Sequence, residues 1–501
     1  MSTDLVNTIF GMKVRQARTE AGLTLTELAK QAGLSASYLT EIEKGRKYPR
    51  NDKILRMAQA LGKGYDDLVS IKLRPSLSYL ETTLASPLLG RFPFAEFGIE
   101  TQDLVNLLTR EPEKASALLH AILDIARQYD LQEEEFLRAA LRSYQEIHEN
   151  YFPELEQAAL DFTAEFGQPY TFAADGPVAL ATLQTILQER YGYRLDDTTM
   201  AARPELAGYR SVLVAGERPL LLINPGLYPR QVKFLLAREL GYQFLGLAER
   251  STTSTPNEVH SFTQLLNDYK AAYFGGALLM PRAALLADLR RFFALPTWQP
   301  QALADLLTRY DVTPEMLFYR FSELIPQHFG IKTHFLRFHH VGDQLRLIRH
   351  LNFNQLMVPS GIGLQEHYCR RWLSARLLRD MRAAQAAGDA WERFPLPGIH
   401  VSRFVNGTDQ FVALGFVRSL VLSPGVNSSV TLGFRLTPDL PQTVRFLNDP
   451  AIPHEIINET CERCPLTAAE CSVRAAPPTV LQAQQRRQAR EAALAALNGS
   501  S

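Results

Sequence analysis

Four cysteines occur in this 501-residue chain, and three of them lie within eleven residues. Cys461, Cys464 and Cys471 have the spacing C-x2-C-x6-C, and Cys369 is the fourth. Thiols this close together in a reducing compartment usually bind a metal, and four thiolates suit zinc or an iron–sulfur cluster. The alternative is that some of the thiols are merely small buried side chains, which is the interpretation we would favour for Cys369 alone.

The two candidate metals differ in the cysteine spacing that they usually show. Structural zinc sites often contain two C-x2-C pairs, and this chain contains one. A single C-x2-C pair, a nearby third cysteine, a proline after a ligand and a remote fourth cysteine are more typical of a cluster. We therefore predict a [4Fe–4S] cluster held by Cys369, Cys461, Cys464 and Cys471, with Zn²⁺ as the alternative.

A second group of residues, near the amino end, has the pattern of two short helices joined by a tight turn. Thr24 and Glu27 stand in capping-box spacing, which starts the first helix. Gly33 lies where the chain must turn sharply and tolerates a positive φ. Ser35 caps the second helix. This arrangement predicts a helix-turn-helix, although a helical hairpin inside an enzyme is the alternative.

The second of these helices has an inner and an outer face. Leu39 and Ile42 are three residues apart and point to a core, so the opposite face can enter a major groove. The side chains predicted to face base edges are Ala36, Ser37, Thr40 and Glu41. Those predicted to hold the phosphate backbone are Thr24, Tyr38, Lys44, Arg46, Lys47 and Arg50. With Ala and Ser at the front of the helix, we expect specificity to depend on methyl contacts or DNA shape.

Residues 8–70, with the core pattern GMKVRQARTEAGLTLTELAKQAGLSASYLTEIEKGRKYP, resemble the DNA-binding domain of the phage-repressor (Xre) family. The resemblance implies a head of five helices that binds duplex DNA. Helix-turn-helix proteins usually occupy two half-sites as a dimer. We therefore expect a homodimer on promoter DNA.

The charge distribution agrees with a DNA-binding head. The whole chain has 53 basic and 53 acidic residues, but residues 1–75 carry 7 Lys and 6 Arg against 8 acidic residues, a net charge of +5. A basic head suits contact with phosphates. No apolar run approaches the ~20 residues that cross a bilayer, and the polar start lacks a signal peptide. We expect a cytoplasmic protein with no membrane contact.

A second resemblance lies in the middle of the chain. Two strands, Ser211–Val214 and Leu220–Asn224, precede a helix over 231–245 and the sequence Phe-x-x-Ala-Leu-Leu-Met-Pro, as in the ImmA/IrrE metallopeptidase-like domain. In that family the helix carries His-Glu-x-x-His, which binds zinc. The corresponding residues here are Arg238, Glu239 and Tyr242, and our alignment places Lys270 near the third ligand.

Three of these four residues depart from the zinc pattern. An arginine is permanently cationic and cannot bind zinc. We therefore predict that the fold is kept, that the chain is not an enzyme, and that Glu239 is structural. A zinc peptidase that cleaves a repressor is the disfavoured alternative.

We predict a multidomain α+β protein, with an all-α five-helix head, a helical spacer, a degenerate zincin-like α+β domain and a C-terminal mixed α/β sensory domain. The spacer is expected to be a packed helical segment, and a role in dimerisation is our second interpretation of it. The boundaries are 1–72 for the head, 73–166 for the spacer, 167–330 for the ImmA/IrrE-like domain, 331–478 for the sensory domain and 479–501 for the tail.

The order of these segments, with KAAYFGGALLMPR and the C-terminal cysteine pattern, resembles the short-chain fatty acyl transcriptional regulators, including those of propionate (methylcitrate) metabolism. This resemblance implies sensing of a short-chain acyl-CoA and a cluster on Cys461, Cys464 and Cys471. The residues of an acyl-CoA pocket stay unknown at this point. A redox- or iron-responsive transcription factor, in which cluster loss is the signal, is the alternative.

Overall fold

The computed structural model forms two compact units, Met1–Ala140 and Leu141–Ser501. It describes residues 3–70, 91–99, 133–170, 172, 177–254, 259–342, 344–354, 356, 358, 365–388 and 395–498. Most of the spacer predicted over 73–166 therefore lies outside the described residues. The multidomain α+β class predicted from the sequence is confirmed.

The head consists of five helices in its described part. They are α1 (Thr3–Glu20), α2 (Leu25–Gln31), α3 (Ala36–Glu43), α4 (Asn51–Leu61) and α5 (Tyr65–Val69). The predicted caps are present: Thr24 and Glu27 form a full capping box on α2, and Ser35 accepts the amide of Tyr38 at 3.2 Å on α3. Gly33 has φ +62°, the left-handed conformation that the turn requires.

Helices α1 and α3 pack unusually closely. A Cβ atom at Gly11 of α1 would lie 2.3 Å from the carbonyl oxygen of Ile42, so only glycine fits there. Arg18 of α1 donates to both carboxylate oxygens of Glu43 on α3, at 2.6 and 3.0 Å. Leu39 and Ile42 are fully buried, as the helical spacing predicted. This contact fixes α3 on the head.

The larger unit begins with helices and a small three-stranded sheet. Its first helices are α6 (Glu133–Ile147), which contains the division between the two units, α7 (Pro153–Phe166) and α8 (Leu180–Tyr191). The strands are β1 (Arg194–Asp196), β2 (Ser211–Val214) and β3 (Leu220–Ile223), in the order β1-β3-β2. Five helices follow: α9 (Pro229–Phe244), α10 (Phe262–Leu279), α11 (Arg282–Phe293), α12 (Pro300–Tyr310) and α13 (Pro314–Phe329).

A buried ion-pair network fastens α7 to this helical layer. Arg320 of α13 donates to both oxygens of Glu156 on α7, at 2.5 and 2.8 Å, and to Glu323 at 2.9 Å. Tyr273 of α10 donates to Glu156 at 2.7 Å. Buried charges are tolerated when they are paired in this way. Helix α7, which lies within the predicted spacer, therefore packs on the ImmA/IrrE-like helices.

A six-stranded sheet forms the C-terminal part, in the order β5-β4-β8-β7-β6-β9. Its strands are β4 (Thr333–Val341), β5 (Gln344–Asn352), β6 (Leu396–Phe404), β7 (Gln410–Ser419), β8 (Asn427–Arg435) and β9 (His454–Ile457). Helix α14 (Leu373–Ala386) packs on one face, where Leu377 lies against Gly398 and Gly415. Helix α13 lies against β4 and β8, with Tyr319 stacked edge-on to Phe335.

Helix α10 runs without a break from Phe262 to Leu279, and Cys369 lies just before α14. After the short helix α15 (Leu440–Thr443), the tail forms one helix, α16 (Thr479–Asn498). No helix in the described part of the chain is long and apolar enough to span a bilayer.

Candidate functional site

Helix α3 carries the four side chains predicted to face base edges and also Tyr38. Ser37 is exposed, whereas Ala36 and Tyr38 are half-buried and pack partly against the head core. The hydroxyl of Thr40 donates to the carbonyl of Ala36 at 2.8 Å. Glu41 lies 3.6 Å from Arg46, so its carboxylate is already partly neutralised.

Basic side chains surround this helix. Arg46, Lys47 and Arg50 are exposed in the loop after it, and Lys44 is half-buried at its end. Thr24 and Ser35 are exposed at the two N-caps.

One basic residue near α3 was missed by the sequence analysis. Lys53 lies 4.1 Å above the ring of Tyr38, and Lys47 lies 5.8 Å from it. The sequence places Lys53 only as one more residue of α4, although it continues the basic run that begins at Lys44. A cation–π contact of this kind fixes a charge in place, so Lys53 joins the candidate phosphate contacts.

The positions that correspond to the zinc ligands form a hydrogen-bond network of their own. Arg238 donates to the hydroxyl of Tyr242 at 2.6 Å, and that hydroxyl donates to Asp268 of α10 at 2.5 Å. Ser251 also donates to Asp268 at 2.5 Å. Burial is the main cause that raises the pKa of Tyr242 well above its usual range. The space that zinc would need is therefore taken up by an arginine, a phenol and their carboxylate partner.

Lys270 does not take part in this network. The carboxylate that Tyr242 and Arg238 reach is Asp268, and Lys270 lies two residues later on the same helix. Residues two apart on a helix do not face the same side. The carboxylate beside Arg238 and Tyr242 is that of Asp268, two residues before Lys270.

Glu239 is held in a structural ion pair. Arg250 donates to its two oxygens at 2.6 and 2.8 Å, and the Tyr193 hydroxyl lies 3.3 Å away. Glu239 is buried. Burial, followed by the Glu239 charge, raises the pKa of Tyr193 to about 12. A buried carboxylate whose two oxygens are both held by one arginine agrees with a structural role.

The chain segment that carries Cys369 lies against the segment that carries Cys461. The segment 367–369 lies against 459–462: the amide of Cys461 donates to the carbonyl of His367 at 2.8 Å, and that of Cys369 to Glu459 at 3.2 Å. Burial first, and then the Cys461 and Cys464 thiols, raise the pKa of Cys369 to about 11.

The four cysteine thiols are all buried. The amide of Asn458 donates to the Cys369 sulfur at 3.5 Å, and that of Ala475 donates to the Cys461 sulfur at 3.3 Å. Such donors are among the features that tune cluster-bound sulfur. The described residues contain no group of three or more His, Cys, Asp or Glu arranged to hold a metal ion.

Arg474, which sequence reasoning missed, shapes this loop. Its guanidinium donates to the carbonyls of Cys461 and Cys464, at 2.9 and 3.2 Å, and to that of Leu466 at 2.6 Å. It follows Cys471 by three residues, and this spacing was the only signal in the sequence.

Comparison with known proteins gives two matched families. The helix-turn-helix domain matches residues 9–69, and the IrrE N-terminal-like domain matches residues 194–322. An uncharacterized HTH-type transcriptional regulator of Sinorhizobium fredii, y4dJ, is 36% identical over 62 residues, which are 12% of this chain and 80% of that protein. The chain belongs to the helix-turn-helix transcriptional regulators.

Among solved structures, a Mycobacterium tuberculosis transcriptional regulator is similar to this helix-turn-helix regulator at 17% sequence identity. The match has a TM-score of 0.45 and covers 67% of this chain and 93% of the other.

Proposed function

We propose that this regulator controls genes of short-chain fatty acid metabolism and senses a short-chain acyl-CoA, such as that of propionate or acetate. A homodimer binds promoter DNA through α3, and the effector binds to the larger unit. The observation that carries the proposal is the network of Arg238, Tyr242 and Asp268. This network supports a peptidase-like domain that functions without zinc. Such a domain is suited to sensing a ligand and not to hydrolysing peptide bonds.

Effector control follows from a difference in affinity between two conformations. A ligand shifts an equilibrium only as far as it binds one state better than the other. The coupling between two such sites is typically about 1–3 kcal/mol, or a ~5- to 150-fold change in affinity. We expect DNA affinity to change within this range when the acyl-CoA binds.

The four thiols would hold the proposed [4Fe–4S] cluster, with zinc as the alternative. A cluster supplies a centre whose oxidation state and integrity depend on iron and oxygen. Cys369 lies in the segment before α14 and the other three lie after β9, so a bound cluster would tie together two separate segments. Arg474 and the backbone donors at Asn458 and Ala475 would orient the sulfurs.

The proposal is tested with full-length protein prepared without air. Fluorescence anisotropy would give its affinity for a duplex from its own promoter region, with propionyl-CoA, acetyl-CoA or free CoA added. We expect a change of fivefold or more with a thioester and little change with CoA. DNA affinity that is the same under all three conditions contradicts acyl-CoA sensing.

The buried thiols also support the second candidate, a redox- or iron-responsive transcription factor. The absorption spectrum and metal content of the same preparation separate cluster from zinc. If removal of the cluster changes DNA affinity and acyl-CoA does not, the iron- or redox-responsive role replaces the first proposal. A Cys464→Ser variant serves as the matched cluster-deficient control.

A further inference from the structure

A row of polar side chains crosses the six-stranded sheet. The strand register places Arg418 of β7 opposite Ser428 of β8, and Ser428 opposite His339 of β4. Arg337 precedes His339 by two residues and therefore shares its face of the sheet. The Arg337 side chain donates to the Ser428 hydroxyl at 3.4 Å. Two arginines and a histidine thus lie together on one surface.

A single carboxylate faces these two arginines. Glu315, the second residue of α13, accepts from the Arg418 guanidinium at 3.0 and 3.1 Å. The same carboxylate lies 3.9 Å from Arg337. The side chains of Arg337 and Arg418 are 18% and 12% exposed, and that of Glu315 is 13% exposed. The single carboxylate of Glu315 is therefore the counter-charge for two largely buried guanidinium groups.

Arg210 adds a third positive charge from the small sheet. It directly precedes β2, and its backbone amide donates to the Ser254 hydroxyl at 2.9 Å, while Arg238 donates to the Ser254 carbonyl at 3.0 Å. Among the described residues, no carboxylate forms an ion pair with Arg210. Burial first, and then the nearby Arg337 charge, lower the pKa of Arg210.

The charges in this group do not balance. Arg210, Arg337 and Arg418 carry three positive charges against one carboxylate, because Arg238 is matched by its own Asp268. The Nε2 atom of His339 is buried and has no hydrogen-bond partner in the described structure. Burying unpaired charge is costly, so an excess of about two positive charges signals a missing anion.

We propose that Arg210, Arg337 and Arg418 form a binding site for the phosphate group of a small metabolite. A phosphate carries about −1.5 to −2 charges at neutral pH, which matches the excess better than one carboxylate does. A guanidinium group can donate two parallel hydrogen bonds to two oxygens of one phosphate. Because Arg337 and Arg418 are largely buried, the backbone of duplex DNA cannot reach them, and the site suits a small molecule.

The phosphate has more than one source. It can belong to an acyl-CoA, which would deepen the proposed function and rests on it, or to a nucleotide or inorganic phosphate, which would not. The site itself depends only on the charges and contacts of these residues.

The test uses the thermal unfolding of the full-length protein in buffer without phosphate or sulfate. Propionyl-CoA, ATP and inorganic phosphate are the three probes. We expect at least one probe to raise the Tm, and Arg210→Gln to weaken its binding by about tenfold or more. Without any probe, Arg210→Gln should raise the Tm, because it removes a half-buried charge that has no ion-pair partner among the described residues. Arg210→Lys keeps the positive charge but loses the planar guanidinium, so this variant should bind the probe with intermediate affinity.

Arg218→Gln, in the exposed turn between β2 and β3, is the matched control and should change neither quantity. The proposal is overturned if no probe binds, or if Arg210→Gln lowers the Tm and leaves binding unchanged. Binding of ATP but not of the thioester supports the site and contradicts the proposed effector. Thioester control of DNA affinity that persists in Arg210→Gln, together with unchanged binding of all three probes, overturns the site alone.

Discussion

Arg238 and Tyr242 lie four residues apart on α9, on the same helical face that would carry two zinc-binding histidines. The structure adds Asp268 on α10 as the carboxylate that completes this group. The identities of Arg238, Glu239 and Tyr242 could be judged from the sequence, because ligand chemistry depends on residue type. Asp268 could not, because its place depends on how α10 packs against α9.

The double variant Arg238→His/Tyr242→His should bind zinc. Two imidazoles one helical turn apart, with Asp268 beside them, supply the ligand types of a catalytic zinc site. Metal analysis should find about one additional zinc per chain relative to the parent protein. Adding Asp268→Ala should remove most of the gain, and a zinc content equal to that of the parent would contradict our account of this site.

Two buried histidines make stability depend on pH. Burial lowers the pKa of His334 to about 4 and that of His400 to about 3, against about 6.5 in the unfolded chain. The unfolded state therefore takes up protons first as the pH falls, and stability that is complete above pH 6.5 is lost toward pH 4. Each histidine contributes a slope of about 1.4 kcal/mol per pH unit near pH 5.

Urea unfolding at a series of pH values measures this slope. His334 and His400 together cause part of the loss of stability between pH 6.5 and 4.5. His400→Gln should remove about half of that part. Below that range the carboxylates add to the loss of stability. Burial alone would raise the pKa of Glu315, but the charges of Arg418 and Arg337 lower it to about 2. Protonation of Glu315 at low pH therefore costs stability. Stability that does not change between pH 6.5 and 4.5 would show that these rings are protonated in the fold.

At the level of elements, local signals in the sequence were sufficient for the helix-turn-helix. The capping residues at Thr24 and Ser35 and the φ of Gly33 depend on nearest neighbours, and all were predicted. Strands β2 and β3 were predicted because two short apolar runs lie on either side of a turn. The Arg18–Glu43 pair and the strand order of the large sheet were not predicted, because they join residues far apart in the chain.

Helix α3 depends on its close contact with α1 at Gly11. Gly11→Ala places a methyl carbon against the backbone of Ile42, and overpacking of this kind typically costs about 1–3 kcal/mol. We expect lower stability of the head and weaker DNA binding, measured by hydrogen exchange in α1 and by anisotropy. Thr19→Ala, at an exposed position of the same helix, is a control for substitution in α1; equal protection from exchange in Gly11→Ala and the parent would contradict the contact.

At the scale of the molecule, two kinds of site lie on one chain. The head binds DNA, and the larger unit contains four buried thiols and the group of arginines with too few carboxylates. The likeness of the body to a peptidase domain could be predicted from its motifs. The arginine group could not, since Arg210, Arg337 and Arg418 come from three separate strands or their edges. Linkage between such sites must be reciprocal: if the effector changes DNA affinity, DNA changes effector affinity by the same factor.

The most direct test of the whole account is calorimetric titration of propionyl-CoA into the full-length protein, alone and saturated with its promoter duplex. The account predicts binding in both cases, with affinities that differ by the same factor by which the thioester changes DNA affinity. Equal affinity with and without DNA, or cleavage of a protein substrate by the same preparation, would contradict it.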